Sequence, residues 1–284
     1  MMNKIEAILH DLFEDIFRLY GYDFREYSKP SAWRRIERRM HLTGITSVAQ
    51  LRDNVRSQIH FADQLIKDFS INVTEMFRDP DCFIALKTQV LPLLRQEPFI
   101  KIWHAGCATG EEVYSMAIIL SEMGLYDQVR IYATDYSAEA LQQAEAGIYP
   151  LKKMRLYTEN YHNADGKSDF ADYYTANYDS AVLHQRLKRN IFFSHHDLAR
   201  DGTFSDIHLV VCRNVLIYFS KALQQKVFTT FYDSLVNGGY LCLGSHETLH
   251  FSRQKEQFSV IDAQQRIFRK CDSTKDRQRL IMGD

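Results

Sequence analysis

Residues 99–116, FIKIWHAGCATGEEVYSM, change character twice. The apolar run Ile100-Lys101-Ile102-Trp103 has the composition of a buried strand. His104 to Gly110 is a turn of small residues, after which Val113, Met116, Ala117 and Leu120 fall on one helical face. A strand, a small-residue turn and a helix start let a nucleotide-like ligand lie against bare backbone. Gly106 and Gly110 permit close approach, and the first helical turn offers N–H groups without intrahelical partners. An ordinary α/β turn has the same outline, with two glycines rather than the GxGxxG of dinucleotide sites. Glu111 and Glu112, where the helix starts, disfavour a pyrophosphate and suit a ligand with hydroxyls and a positive charge. S-adenosylmethionine fits that description better than NAD or ATP.

Downstream, Val129–Thr134 reads as a second strand ending at Asp135. An acid there, about 20–30 residues past the turn, is where Rossmann-like folds take a ribose diol. Ser137–Ala146 is a helix closed by Gly147, and Ile191–Ser194 and Ile207–Cys212 are further strands. Lys221–Val236 is a helix, Asn237-Gly238-Gly239 a turn, Tyr240–Gly244 a strand, and Phe258–Asp262 with Arg266–Lys270 a closing pair. Strands alternating with helices predict a doubly wound sheet. Between about 150 and 190 the rhythm breaks into a polar, tyrosine-rich stretch. It reads as a small insertion of β character, with Ala181–Leu187 as a strand.

Upstream, residues 1–70 read as small helices. Ile5, Ile8, Leu9, Leu12, Phe13, Ile16, Leu19 and Tyr20 keep helical spacing up to Gly21, and a second helix starts near Pro30. On that second helix Trp33, Ile36 and Met40 share one side, while Arg34, Arg35, Arg38 and Arg39 fill the opposite arc. The basic arc reads either as a solvated face or as a docking face for an acidic helix or a nucleic acid. Ser47–Ile59 and Phe61–Phe69 are two more short helices, and the extended stretch 71–79 leads to a helix starting at Asp79-Pro80.

Of 284 residues, 45% are hydrophobic and 25% charged, with a net charge of −1, which bounds the chain to ordinary globular composition with room for two domains. No apolar run approaches the ~20 residues of a membrane span, and acids interrupt the apolar N-terminus, unlike a secretory signal. Five scattered cysteines without CxxC suit a reduced, cytoplasmic protein. His246-Glu247-Thr248-Leu249-His250 spells HExxH. It follows a strand and a glycine directly and lacks a third ligand, so a loop at the strand ends is the expectation, with no metal site. His195-His196 likewise reads as a turn pair rather than a ligand pair. Asp197-Leu198 and Arg213-Asn214 follow strands and therefore lie over the ligand crevice of such a sheet.

Four segments in this order carry a family likeness: Asn72-Val73-Thr74-Glu75-Met76-Phe77-Arg78-Asp79, Ala108-Thr109-Gly110-Glu111-Glu112, Ala133-Thr134-Asp135, and Cys212-Arg213-Asn214-Val215-Leu216-Ile217-Tyr218-Phe219. Together they resemble the CheR family, the S-adenosylmethionine-dependent methyltransferases of bacterial chemotaxis receptors, over Leu12 to about Lys270. The resemblance implies a small all-α N-terminal domain (1–70), a linker that contributes to the cofactor site (71–82), and a Rossmann-like class I methyltransferase domain (83–284) with a β-subdomain inserted at about 150–190. It places cofactor contacts on Asn72, Thr74, Arg78, Gly106, Glu112, Asp135, Asp197, Leu198, Arg213 and Asn214. The family often has asparagine where Asp197 stands, and an aspartate still accepts a bond from the adenine amine.

The implied reaction moves a methyl group to glutamate carboxylates of receptor helices, leaving S-adenosylhomocysteine. Arg78 and Tyr218 would hold the substrate carboxylate, and Arg34, Arg35, Arg38 and Arg39 would dock the glutamate-rich helix. The implied protein is a monomer that neither enters a membrane nor binds nucleic acid. The alternative of another class is a non-catalytic regulator that binds the cofactor, or another nucleotide, as a signal. A nucleic-acid methyltransferase is disfavoured by the net charge and the lack of an aromatic-basic stripe.

Overall fold

The computed structural model describes residues 2–69 and 74–271. The chain divides into two compact units, Met1–Ile71 with Leu216–Val227, and Asn72–Val215 with Phe228–Asp284. Among the described residues no helix is long and apolar enough to cross a membrane.

The first unit holds helices α1 (Met2–Tyr20), α2 (Lys29–Thr43), α3 (Val48–Ser57) and α4 (Ile59–Phe69). The helical spacing of α1 places Leu9, Leu12, Phe13 and Ile16 in a core shared with Ile36, Leu51, Val55 and Leu65. The rings of Phe13, Phe24 and Phe69 meet there at 4.9–6.2 Å. Pro30 opens α2, and Gly44, at φ +71°, closes it in the left-handed region. Segment 216–227 joins this unit through Ser28 N–H donating to Tyr218 O (2.8 Å) and Ser220 N–H to Glu26 O (2.8 Å).

The arginine arc of α2 departs from expectation. Arg39 grips Asp68 with Nε–Oδ2 2.6 Å and Nη2–Oδ1 2.8 Å, and it also donates to Gln64 O (3.1 Å). Arg35 donates to Asp68 O (2.9 Å) and Phe69 O, where α4 ends with unpaired carbonyls. Arg35 and Arg39 are therefore not a free docking face, because α4 offers them a carboxylate and a helix C-terminus. Arg34 and Arg38 remain exposed.

In the second unit a helix runs from α5 (Pro80–Ala85) to α6 (Leu91–Leu94) through a π-helical turn, Leu86–Val90. Pro92, without an N–H to give, accounts for the widened turn. Then come β1 (Ile100–Ala105), α7 (Glu111–Glu122), β2 (Val129–Asp135), α8 (Ala138–Ala146), β3 (Ile148–Pro150), α9 (Met154–Asn163), β4 (Tyr174–Asn177), β5 (Ser180–Leu183), β6 (Ile191–His195), β7 (Ile207–Cys212), α10 (Lys221–Ser234), β8 (Leu235–Leu243), β9 (Phe258–Asp262) and β10 (Ile267–Lys270). A seven-stranded sheet has the order β6-β2-β1-β7-β8-β10-β9. Its first five strands pair in parallel and β10 and β9 are antiparallel, as the Rossmann-like expectation required. Strands β1 and β7 are almost wholly buried, which matches their mainly apolar composition, and Lys101 and His208 are their half-buried positions.

The insertion is a three-stranded antiparallel sheet, β3-β5-β4, plus the helix α9, which the β-character reading of this stretch did not anticipate. Met154, Tyr157 and Tyr161 form its buried stripe. The mainly polar residues around that stripe hid its helical period, and the expected strand Ala181–Leu187 is shortened to β5 followed by a 3-10 turn. The Asn237-Gly238-Gly239 turn is likewise absorbed into β8, where Gly238 takes φ +75° and the pairing with β7 shifts register.

Candidate active site

Strand β1 delivers the chain to Gly106, whose N–H, with that of Cys107, donates to Thr134 O on β2 (2.8 and 2.9 Å). Gly106 sits at φ +79°, and a Cβ there would stand 2.5 Å from Val215 Cγ2. Only glycine lets the loop after β7 close on this turn. Gly110, at φ +90°, caps α7 and would meet Ala144 in the same way.

The two acids on α7 have different fates. Glu111 is fully buried, accepting from Thr109 Oγ1 (2.6 Å) and Tyr157 OH (3.2 Å), with Lys153 Nζ at 3.6 Å. Burial pushes its carboxyl up despite these partners. It ties the turn to α9 and does not face a ligand. Glu112 accepts from Arg213 Nη1 (3.0 Å) and lies 2.9 Å from His104 Nδ1. Burial alone would raise the Glu112 carboxyl, but His104 and Arg213 outweigh it and hold it below the ordinary range.

Arg213, with a side chain 3% exposed, also donates to Asp79 Oδ2 (2.7 Å) and Arg78 O (3.1 Å). It fastens the linker to α7. Its charge is spent inside the protein, so it acts on the site through Glu112 and Arg78. The resemblance gave no role to His104 or Asp79. The only signal for Asp79 was its place beside Arg78, and for His104 its place in the turn.

Asp135, at the end of β2, is buried. Its Oδ2 accepts the Ala108 N–H (2.9 Å) and its Oδ1 the Ser137 N–H (2.9 Å). Burial raises its carboxyl, and backbone N–H groups of Ser137, Ala108 and Tyr136 only partly offset that. Past β6, the half-buried Asp197 accepts the Ala199 N–H (2.8 Å) and Leu198 is buried. Thr74 and Arg78 are half-buried, and Asn72 lies outside the described residues. Tyr218 carries the Arg35 guanidinium 4.8 Å over its ring.

The HExxH residues form a loop, as expected, and Glu247 serves the backbone. Its Oε2 accepts Gly244 N–H (2.7 Å) and Asn214 N–H (3.1 Å), and its Oε1 accepts Val215 N–H (2.9 Å). Among the described residues no group of His, Cys, Asp and Glu gathers as metal ligands do.

S-adenosylmethionine fits this donor set. The Asp135 carboxylate accepts backbone N–H groups of Ala108, Ser137 and Tyr136, and its remaining lone-pair capacity can take a ribose hydroxyl. The Asn214 amide oxygen is buried with no hydrogen-bond partner among the described residues. The buried cation, Arg213, is already balanced by carboxylates. A mixed sheet with this order, five strands parallel and the last two antiparallel, with a glycine turn after β1 and an acid ending β2, defines a class I S-adenosylmethionine-dependent methyltransferase.

The family model "CheR methyltransferase, SAM binding domain" matches residues 72–267, and "CheR methyltransferase, all-alpha domain" matches residues 8–70. The chain belongs to the CheR methyltransferase family and binds S-adenosylmethionine as its methyl donor. It is 48% identical to the putative methyltransferase Cher3 of Pseudomonas putida, over 91% of this chain and 95% of that protein. It is 31% identical to chemotaxis protein methyltransferase 1 of Pseudomonas aeruginosa (76% and 81% covered). To the chemotaxis protein methyltransferase of Listeria monocytogenes it is 28% identical (81% and 85% covered).

Proposed function

We propose that the protein is a cytoplasmic protein-glutamate O-methyltransferase whose substrates are the glutamate-rich cytoplasmic helices of chemoreceptors. The observation that carries this reading is the ion-pair chain Glu112–Arg213–Asp79, centred on the buried Arg213. It holds the backbone of Arg78 at the rim of the cofactor turn and leaves the Arg78 side chain half-buried beside it. A planar guanidinium there can orient a carboxylate. The names of the Pseudomonas and Listeria relatives support the chemotaxis assignment.

Strand order sets the cofactor's direction. Asp197 and Leu198 follow β6, Asp135 ends β2, the glycine turn follows β1, and Asn214 follows β7. Adenine, ribose and methionyl arm are read along that line, with Asp135 taking the ribose and Asp197 the adenine amine. Glu112 and, outside the described residues, Asn72 complete the set together with Thr74. The bound cofactor supplies a methyl group already activated by sulfonium charge.

The protein contributes alignment and dryness. A glutamate carboxylate, whose unperturbed pKa is about 4.3, is ionised at neutral pH and needs no general base. Arg78 orients it, and a grip that is too strong would quench its nucleophilicity. Arg34 and Arg38 steer the acidic helix. All five cysteines are free thiols, which supports a reducing compartment.

The test compares a glutamate-rich receptor peptide with its Glu→Gln version. Methyl transfer to the first and not the second is expected, and equal transfer to both contradicts the reading. Arg78→Ala is expected to lower turnover more than S-adenosylhomocysteine affinity, with poor rescue by Arg78→Lys because the planar fork is lost. Equal losses would make Arg78 a cofactor residue only.

A further inference from the structure

The carboxylate of Glu247 has a use beyond closing a loop. It is 4% exposed and gathers three backbone N–H groups, two from the loop after β7 and one from the end of β8. Gly244 is part of the same device, since a Cβ there would stand 2.8 Å from Asn214 N. Asn214 is held at φ +62°, a conformation that asparagine tolerates better than most residues but that still needs support. Glycine would take that φ without strain. The chain instead carries an amide whose oxygen is buried without a partner among the described residues. A buried acceptor left open in a rim loop is an acceptor kept for a ligand.

The ligand's donor follows from the sheet. Asp135 lies on β2, on one side of β1, and Asn214 follows β7, on the other side. With the ribose at Asp135, the part of the cofactor that extends past β1 toward β7 is the methionyl arm. The one strong hydrogen-bond donor on that arm is the α-ammonium group. We infer that Glu247 is a positioning residue that holds the Asn214 amide oxygen as the acceptor for the α-ammonium group of S-adenosylmethionine. The inference rests on the cofactor orientation read above. It gives the glutamate of the HExxH match a role unrelated to metal.

The test uses the full chain and calorimetric titration with S-adenosylhomocysteine. Asn214→Gly, which keeps the φ, is expected to weaken binding about tenfold, the loss of one charge-assisted hydrogen bond. Glu247→Gln is expected to lose about fivefold to tenfold on the same basis. The double variant should stay within about twofold of Asn214→Gly, because both act through one contact. 5′-Methylthioadenosine keeps the adenine, ribose and sulfur but lacks the amino-acid arm. Its affinity, measured by competition, should be alike in wild type and variants.

Unchanged S-adenosylhomocysteine affinity in Asn214→Gly overturns the inference, and so do losses that multiply in the double variant. A parallel loss for 5′-methylthioadenosine also overturns it, since the clamp would then support the whole turn and not the arm. If Glu247→Gln fails to fold, Asn214→Gly with the two ligands still decides the acceptor, and Glu247→Asp replaces it in the cycle. Wild-type protein that binds neither ligand would instead refute the cofactor orientation itself.

Discussion

On α2, four arginines stand on one arc, and two of them, Arg35 and Arg39, are spent on the end of α4. At the sheet rim, Arg213 reads in sequence as a cofactor contact over the ligand crevice, yet it is buried and shared among Glu112, Asp79 and the Arg78 carbonyl. Both regions show positive charge used to fasten one element to another. They differ in what remains. The helix keeps Arg34 and Arg38 in solvent, where, on the proposed function, their charge acts on an acidic partner over about 10 Å at 0.1 M salt. The rim keeps neutral and acidic acceptors, on Asp135 and Asn214, for a ligand with hydroxyls and a cationic arm. On the proposed function, long-range attraction and short-range recognition fall to different parts of the chain.

Removing the rim's cation should have the largest effect. Arg213→Met leaves Glu112 and Asp79 without their buried partner and is expected to cost about 3–5 kcal/mol of stability, read by denaturant unfolding. A loss below about 1 kcal/mol would place Arg213 with the exposed arginines instead.

Asp135→Ala comes next. It is expected to weaken S-adenosylhomocysteine binding by about 1.5–3 kcal/mol with the fold intact, and unchanged affinity in calorimetry would sink the ribose assignment. Because burial raises the Asp135 carboxyl, pH acts on binding and stability in opposite senses. As pH falls through the raised folded value the acceptor is lost, so affinity drops. The folded state binds that proton more tightly than the unfolded chain, so this group's share of stability rises on the same descent. Affinity that stays flat into the acid range would contradict an ionised acceptor.

The α2 face gives the smaller effects. Arg39→Ala breaks the two-pronged contact with Asp68 and should cost about 1–2 kcal/mol in thermal or denaturant unfolding. Replacing Arg34 and Arg38 together by glutamate should leave stability within about 0.5 kcal/mol. It should raise the receptor KM a few-fold and flatten the salt dependence of kcat/KM, with S-adenosylhomocysteine affinity untouched. Parallel salt curves for wild type and variant would reduce those arginines to a solvated face.

What could be read from sequence follows from how local each signal is. The strands of the parallel sheet, the glycine turn and Asp135 announce themselves because apolar runs, φ-permissive residues and a strand-end acid are properties of short segments. Helix α9 did not, since its buried stripe, Met154, Tyr157 and Tyr161, lies in a stretch whose other residues are mainly polar. The arc of α2 was legible as an arc, but Asp68 and the α4 carbonyls that consume half of it lie some thirty residues on. Glu247 was legible only as part of a metal motif, because the N–H groups it serves lie in a loop about thirty residues earlier. Partners distant in sequence decide whether a charge faces solvent, a ligand or the backbone.

The central claim is that this site methylates receptor glutamates. Its most direct test is incubation of the purified protein with methyl-labelled S-adenosylmethionine and membranes containing chemoreceptors. The account predicts label on receptor protein that mild alkali releases as methanol, the signature of a carboxyl methyl ester, and its loss with Arg78→Ala. Tight S-adenosylhomocysteine binding with no base-labile label on any protein would contradict it and point to a regulator that only reads the cofactor.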